Sequence, residues 1–592
     1  MQTALNGILV TTLVAVGTFF AADTARAEEE LFDLESIMKD PVDAKILTTE
    51  IKDGVVFQNI EYTTRVVDGS PERIQGILAF PEGAKSLPGV YWSMGGMAKA
   101  NPEFPGRIAS RGYVCLAVTL PHNIRNSFRT PFDAKNPKSA NMTLLARDQL
   151  RGITMLSQRP EVDPNRIAVA GASYGGVFAT LIAGVDPRVK AGFCFFGAGN
   201  HELGTSLPQF LKMEKLEDLA VWNSTFDPAF RLKQKNIPFM WGVAFNDHWF
   251  LFPAVAKTFM ETAGTDKRAI IMPYWQHGFP PEVDNALISF LDTTPVAAKS
   301  RPAYNAPGQI QLRQENGKVV ASFSWTGDNP VVKAELIVSY GEYTPWLGWP
   351  QRASFVFPAE IAGKQASAKL PIPSRQIPLI AWGTIADKDQ IMVSTPPMVL
   401  SSKELLDFPV DANLELNCFI DGDLGESGQY FYKLSGEPFA GQPDKEVKQA
   451  GEQSVRVDAY VPEPKKTKNF SIKLFHNVPG LAHQLSVFLK AERLTQISVT
   501  LTPVRPKSWG SALVKQLIAK DPRLAPLIPR WSDNPEPISV TASVGTEWQE
   551  VKLDVPEPTA PVDGYKLDIK ETAEGKTVYW IDTLRMKPVW PK

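Results

Sequence analysis

Arg166-Ile167-Ala168-Val169-Ala170-Gly171-Ala172-Ser173-Tyr174-Gly175-Gly176-Val177-Phe178-Ala179 reads as a strand, a sharp turn and the start of a helix. The apolar run to Ala170 has strand character, and the small and apolar residues after Gly176 suit a packed helix. A Gly-x-Ser-x-Gly sequence at such a junction is a nucleophile elbow. The serine sits on a strained turn that admits only neighbours without a bulky Cβ, and its Oγ is presented at the carboxyl edge of a sheet. Ser173 is therefore the candidate nucleophile and Gly171 and Gly175 are the elbow glycines. The expectation is a serine hydrolase.

A triad on such a sheet requires, in chain order after the serine, an acid at the end of a later strand and a histidine beyond the last strand. Ile237-Pro238-Phe239-Met240-Trp241-Gly242-Val243-Ala244-Phe245 reads as a buried strand and ends at Asn246-Asp247-His248, which makes Asp247 the acid. The strand-like run Arg268 to Trp275 leads to Gln276-His277-Gly278, and a helical segment from about Pro281 to Leu291 follows. His277 stands where the base belongs. Of the six histidines, His122, His201, His476 and His483 have no such position. His248 shares the loop of the acid, from which it would not easily approach the serine from the opposite side.

In this reading Ser173 attacks an acyl carbon, His277 takes its proton and returns it to the leaving group, and Asp247 holds the imidazole tautomer. The oxyanion requires two donors. Tyr174 N–H, next after the nucleophile, is one; the other is expected in the glycine loop Met94-Gly95-Gly96-Met97 after the strand Gly89 to Ser93, at Gly96 in preference to Met97.

Several segments carry a family likeness. Arg73 to Pro81 looks like an opening strand, Ile108 to Val114 like a helix into the fourth strand, and Arg159-Pro160-Glu161-Val162-Asp163-Pro164-Asn165-Arg166-Ile167 like the approach to the elbow. From about Leu47 to Leu291 the chain resembles the α/β-hydrolase superfamily, in particular the branch of dienelactone hydrolases, acetyl xylan esterases and prolyl-oligopeptidase-type peptidases. The resemblance implies a mostly parallel sheet with helices on both faces and a Ser/Asp/His hydrolase without a catalytic cofactor. Two departures stand out: Met94 replaces the histidine of a His-Gly oxyanion motif, and Thr119-Leu120-Pro121-His122 replaces an Asp-containing turn.

Met1 to Ala22 is almost wholly apolar or small, and Ala25-Arg26-Ala27 before Glu28 fits an A-x-A cleavage site. Residues 1–27 are thus expected to be a signal peptide cleaved near Ala27, and the mature protein to be exported, periplasmic or extracellular, without a transmembrane segment. Cys115, Cys194 and Cys418 are too few for a disulfide framework and are expected to pack as small hydrophobes. A net charge of −2 and the lack of a basic block give no footprint for nucleic acid.

A chain of 592 residues exceeds one hydrophobic core. The hydrolase domain is expected over 28–293, with a Pro-rich linker over 294–308. Helical patterns then stop. Alternating segments at 319–325, 334–340, 352–357, 368–372 and 379–386 argue an immunoglobulin- or fibronectin-like β-sandwich over 309–401. Tyr343, Trp346 and Trp349 form an aromatic cluster within it. Strand patterns resume from Ser454 to Met586 and argue a jelly roll over 402–592, interrupted by a helical, amphipathic insertion over 509–530. Asn417-Cys418-Phe419-Ile420-Asp421-Gly422-Asp423 and Val578-Tyr579-Trp580-Ile581-Asp582-Thr583-Leu584 resemble the opening and closing segments of galactose-binding-like carbohydrate-binding modules. In such modules a structural calcium can sit between these segments, which the resemblance would place at Asp421, Asp423 or Asp582, with solvated or ion-paired aspartates as the alternative. Trp509, Trp531, Trp548, Trp580 and Trp590 read either as platforms for the C–H faces of sugars or as core.

The expected activity is an exported serine carboxylic-ester hydrolase that removes acetyl or related esters from a polysaccharide or a small ester. The alternatives are an exopeptidase-like serine peptidase of the same branch and a non-catalytic carbohydrate-binding envelope protein.

Overall fold

Strands without a polar face need cover on both sides, and the centre of this protein is built from such strands. The computed structural model describes residues 31–591 except 97–98, 120–131, 198, 202–214, 234, 265, 279–280, 300–303, 342–351, 390, 412–413, 420–440, 459–469, 505–518, 520–535, 559–561, 563 and 574–576. The first strands are β1 (Lys45–Lys52), β2 (Val55–Val67), β3 (Ser70–Pro81), β4 (Leu87–Ser93), β5 (Val114–Thr119), β6 (Val162–Ala172), β7 (Val189–Phe195), β8 (Phe239–Ala244) and β9 (Lys267–Met272). They lie in the order β1-β2-β3-β5-β4-β6-β7-β8-β9. Pairs up to β3–β5 are antiparallel, and from β5 to β9 every pair is parallel.

Successive side chains of a strand point to opposite faces. Val90 and Trp92 of β4 accordingly join one apolar cluster and Tyr91 the other. The helices α1 (Asn141–Ser157), α2 (Tyr174–Val185) and α3 (Phe252–Glu261) cover the face of Tyr91, whereas α4 (Pro281–Leu291) covers the face of Val90. This is the α/β-hydrolase arrangement. β1 carried no recognisable core pattern, because all eight of its residues are exposed.

The sheet does not end where the hydrolase-like segment does. Ser394, in the strand Met392–Ser394, pairs antiparallel with Ala269 of β9, and its Oγ accepts the Ile271 N–H at 3.0 Å. From there the sheet runs on through Leu379–Asp387, Val331–Tyr340 and Phe355–Pro358. Five further strands, Ala306–Pro307, Gln311–Glu315, Lys318–Thr326, Glu360–Ala362 and Gln365–Lys369, make a second sheet beside it. The stretch read as a linker thus already contributes a strand, Ala306–Pro307. The last part of the chain folds into sheets of five and four strands among the described residues. One apolar cluster runs from α4 through both β-rich parts, with the Trp590 ring edge-on to Tyr340 at 5.3 Å.

Cys115, Cys194 and Cys418 are buried free thiols, and burial pushes the Cys194 thiol up to about 12. Among the described residues no helix is long and apolar enough to cross a membrane. The expected signal peptide, Tyr343, Trp346, Trp349, Trp509, Trp531 and the insertion over 509–530 save Ala519 lie outside the described residues. Trp580 is buried and donates its indole N–H to Asp444 at 2.8 Å, so it is core.

His476 and His483 are buried in the last part of the chain, and desolvation pushes each imidazole from 6.5 down to about 4. His483 Nε2 accepts the Val478 N–H, a role only the unprotonated nitrogen can fill. The unfolded chain therefore binds these protons first as pH falls below 6.5, and stability is lost between pH 6.5 and about 4, on the order of 3 kcal/mol for each histidine. Asp148 works in the opposite sense: burial raises its carboxyl from 3.8 to about 6, so the folded state binds that proton first and gains between pH 6 and 3.8. The expected result is a net fall in the urea midpoint from pH 6.5 to 4.5, shallower in His476→Gln and steeper in Asp148→Asn. A midpoint independent of pH over that window would refute this assignment.

Candidate active site

β6 ends at Ala172, and Ser173 turns the chain into α2 at φ 58° and ψ −128°. A non-glycine residue in this region is strained and is held only by its surroundings. The surroundings are backbone. Ser173 N–H donates to Phe195 O at 2.9 Å. A Cβ on Gly171 would lie 2.3 Å from Gly175 O, and one on Gly175 would lie 2.1 Å from Ser93 O. The two elbow glycines are therefore required by space. Gly175→Ala is expected to cost about 3 kcal/mol or more, at the upper end of overpacking effects, since a strand carbonyl and not a flexible side chain must yield. Denaturant unfolding checks it, and a midpoint equal to wild type would show that the elbow can shift.

The loop after β4 packs against this turn. Met94 is buried in the apolar cluster, which explains a hydrophobic residue at that position. A Cβ on Gly95 would stand 3.7 Å from Ser173 Cβ. Gly96 follows it at the exposed surface, and Met97 lies outside the described residues. Tyr174 is the first residue of α2, so its N–H lies outside the helix's own hydrogen-bond ladder and near the nucleophile.

β8 ends at Ala244, and Asp247 follows in a turn. The loop after β9 carries His277. His277 Nε2 lies 2.7 Å from Ser173 Oγ, and its Nδ1 lies 2.9 and 3.1 Å from the two oxygens of Asp247. Asp247 Oδ1 also accepts the N–H groups of Trp249, at 2.7 Å, and Phe250, at 3.1 Å. The carboxylate is 1% exposed and the imidazole 22%, so the orienting acid is shielded from water while the base faces the opening. The structure brings together Ser173, His277 and Asp247, residues separated by up to 104 positions.

His248 does not enter this relay; its ring lies 6.1 Å from that of His277. Phe196, Trp249 and Phe250 surround the His277 ring at 4.7, 6.4 and 6.1 Å. None of the three was singled out in the sequence. Trp249 and Phe250 lie beside Asp247, and that proximity was the available signal.

Asp421 and Asp423 lie outside the described residues, and Asp582 is buried. Its carboxylate already accepts backbone N–H groups from Gln449 at 2.7 Å, Ala450 at 3.3 Å and Thr583 at 2.6 Å. Among the described residues no group of three or more His, Cys, Asp or Glu side chains could hold a metal.

The fold and the serine–histidine–aspartate relay define an α/β-hydrolase domain. Residues 74–289 match the dienelactone hydrolase family. A carboxymethylenebutenolidase-like protein of Saccharomyces cerevisiae is 25% identical over 163 residues, which cover 26% of this chain and 55% of that protein. The match thus spans about half the length of this curated relative. Among solved structures, an acetyl xylan esterase from Paenibacillus sp. R4 is similar at 19% identity and a TM-score of 0.40, covering 46% of this chain and 95% of that one. A glucuronoyl esterase from Solibacter usitatus is similar at 12% identity and a TM-score of 0.34, covering 45% and 92%.

Proposed function

We propose that this protein is a serine hydrolase of carboxylic esters. The observation that carries the reading is the continuous path of hydrogen bonds from Ser173 Oγ through His277 to a buried Asp247 at a strained elbow. His277 Nε2 takes the hydroxyl proton as Ser173 Oγ bonds to the acyl carbon. The carbonyl oxygen becomes an oxyanion held by the N–H groups of Tyr174 and Gly96. Collapse expels the alcohol, which receives the proton from His277 and leaves an acyl-enzyme. Water, deprotonated by the same imidazole, then releases the acid. Nucleophile, base and orienting acid are all side chains of this chain, so the reaction as written needs no cofactor.

The substrate we assign is an acetyl or related ester on a polysaccharide. The reading rests on the leader-like N-terminus, which favours export, and on the carbohydrate-binding-module resemblance of residues 402–592, which would tether the enzyme to a polymer. In this reading residues 28–293 form the catalytic domain, 309–401 an immunoglobulin- or fibronectin-like sandwich and 402–592 a jelly roll.

The test is acetate release from p-nitrophenyl acetate and from acetylated xylan, with and without chelator. Release from both that survives chelation is the expected outcome. Preference for aminoacyl amides would turn the assignment to a peptidase. Inertness to both esters and to a fluorophosphonate would turn it to a carbohydrate-binding protein.

A further inference from the structure

Asn246, immediately before the acid, is fully buried and faces the second part of the chain. Its side-chain N–H donates to Arg352 O at 3.0 Å, and its side-chain oxygen accepts the Arg352 N–H at 3.0 Å. One side chain thus pairs with both backbone groups of a residue 106 positions away, as a strand would. The Asn246 backbone N–H donates to Trp275 O at 2.9 Å, which ties the acid loop to the loop of His277. On that loop Tyr274, half-buried and at φ 68°, donates its hydroxyl to Ser354 O. The segment Arg352–Ser354 therefore grips the acid loop and the base loop at once.

The grip is itself anchored. The guanidinium of Arg352 is wholly buried and donates to Ser339 Oγ at 3.2 Å, Tyr340 O at 2.9 Å and Gly341 O at 2.8 Å. From the last part of the chain, Asn477 O accepts the Ala353 N–H at 2.8 Å, and the His476 ring packs on Tyr274 at 5.6 Å. All three parts of the chain converge behind the acid–base pair.

We infer that Asn246 is a positioning residue for the Asp247–His277 pair and that Arg352–Ser354 is a working part of the active site. This rests on the proposed hydrolase reading. Buried groups with reciprocal partners fix a loop in one geometry, and a misplacement of about 1 Å at the reacting groups is enough to cost about 100-fold in rate.

The experiment uses the full chain with Asn246→Leu, Arg352→Met, Arg352→Lys and Tyr274→Phe. It reads kcat and KM for p-nitrophenyl acetate, the rate of fluorophosphonate labelling of Ser173, and the low-field proton resonance of His277 Nδ1–H in protein labelled with ¹⁵N-histidine. Asn246→Leu and Arg352→Met should each lower kcat about 10- to 100-fold with KM within about twofold, and their double variant should lose no more than the worse single one. Arg352→Lys should recover part of the loss. Tyr274→Phe, which removes one hydrogen bond and nothing else, should lower kcat about three- to tenfold. Labelling should slow in parallel and the resonance should broaden. Folded variants with unchanged kcat, labelling and resonance would overturn the inference, and Tyr274→Phe decides it if the larger substitutions do not fold. If wild type itself neither hydrolyses esters nor labels, the hydrolase reading fails, while the resonance still reports whether the grip orders the pair.

Discussion

Ser173→Ala is expected to abolish ester hydrolysis, with a loss of about 10⁴- to 10⁶-fold in kcat, and to prevent fluorophosphonate labelling altogether. The size follows from the geometry. Deleting Oγ removes the atom 2.7 Å from His277 Nε2, and the attack then falls to water without an oriented partner. The fold should survive, because the turn is held by Ser173 N–H on Phe195 O and by the close approach of Gly171 and Gly175, none of which uses the hydroxyl. The thermal midpoint should accordingly stay within a few degrees of wild type, about the shift that 1 kcal/mol produces. Activity within tenfold of wild type, or labelling at another residue, would mean that a different nucleophile does the chemistry.

Asp247→Asn is expected to lower kcat about 10⁴-fold at neutral pH while leaving the protein folded. The direction can be argued atom by atom. Oδ1 of Asp247 accepts two backbone N–H groups, from Trp249 and Phe250. Those buried donors require an oxygen in that place, so the introduced amide must turn its NH₂ to the other position, which lies 2.9 Å from His277 Nδ1. A donor there forces the imidazole proton onto Nε2, facing Ser173 Oγ, and the base can no longer accept. kcat with p-nitrophenyl acetate checks this. A loss of less than tenfold would show that the carboxylate does not set the tautomer. Asp247→Ala should differ in kind: the two N–H groups lose their partner, and stability falls by about 1–3 kcal/mol as well.

The elbow and the relay were legible in the sequence for different reasons. Ser173 announces itself locally, because the close packing of Gly171 and Gly175 leaves no alternative residues. Asp247 and His277 could be placed because parallel strands deliver their carboxyl ends to one edge of the sheet, so strand order substitutes for distance. No such rule finds Asn246 and Arg352. Their bond is one side chain meeting one backbone residue across two parts of the chain, and nothing periodic marks it. The same holds for Tyr274, whose positive φ is imposed by its contacts and not by its own preference. The segment 352–357 was read as one strand, but regular pairing begins only at Phe355. Arg352 makes an isolated bridge to Asn477 instead. The continuation of the sheet from Ala269 to Ser394 was hidden for a similar reason: one residue pair joins two stretches that local pattern assigns to separate units.

That single junction decides what the molecule shows to its neighbours. An open sheet ends in strands whose unpaired amides and carbonyls can recruit any extended chain. β9 would have been such an end, buried through its middle, and Met392–Ser394 meets it from within the same polypeptide, through the Ser394–Ala269 pair and the Ser394 Oγ that accepts the Ile271 N–H. The margins of the large sheet are moved elsewhere. One is β1, which carries lysine at both ends, and the other is Phe355–Pro358, four residues long and closed by a proline that has no amide to offer. The appended strands thus act as a hem: they move the open border away from β9, to a strand flanked by lysines and, on the other side, to a short one that ends in proline.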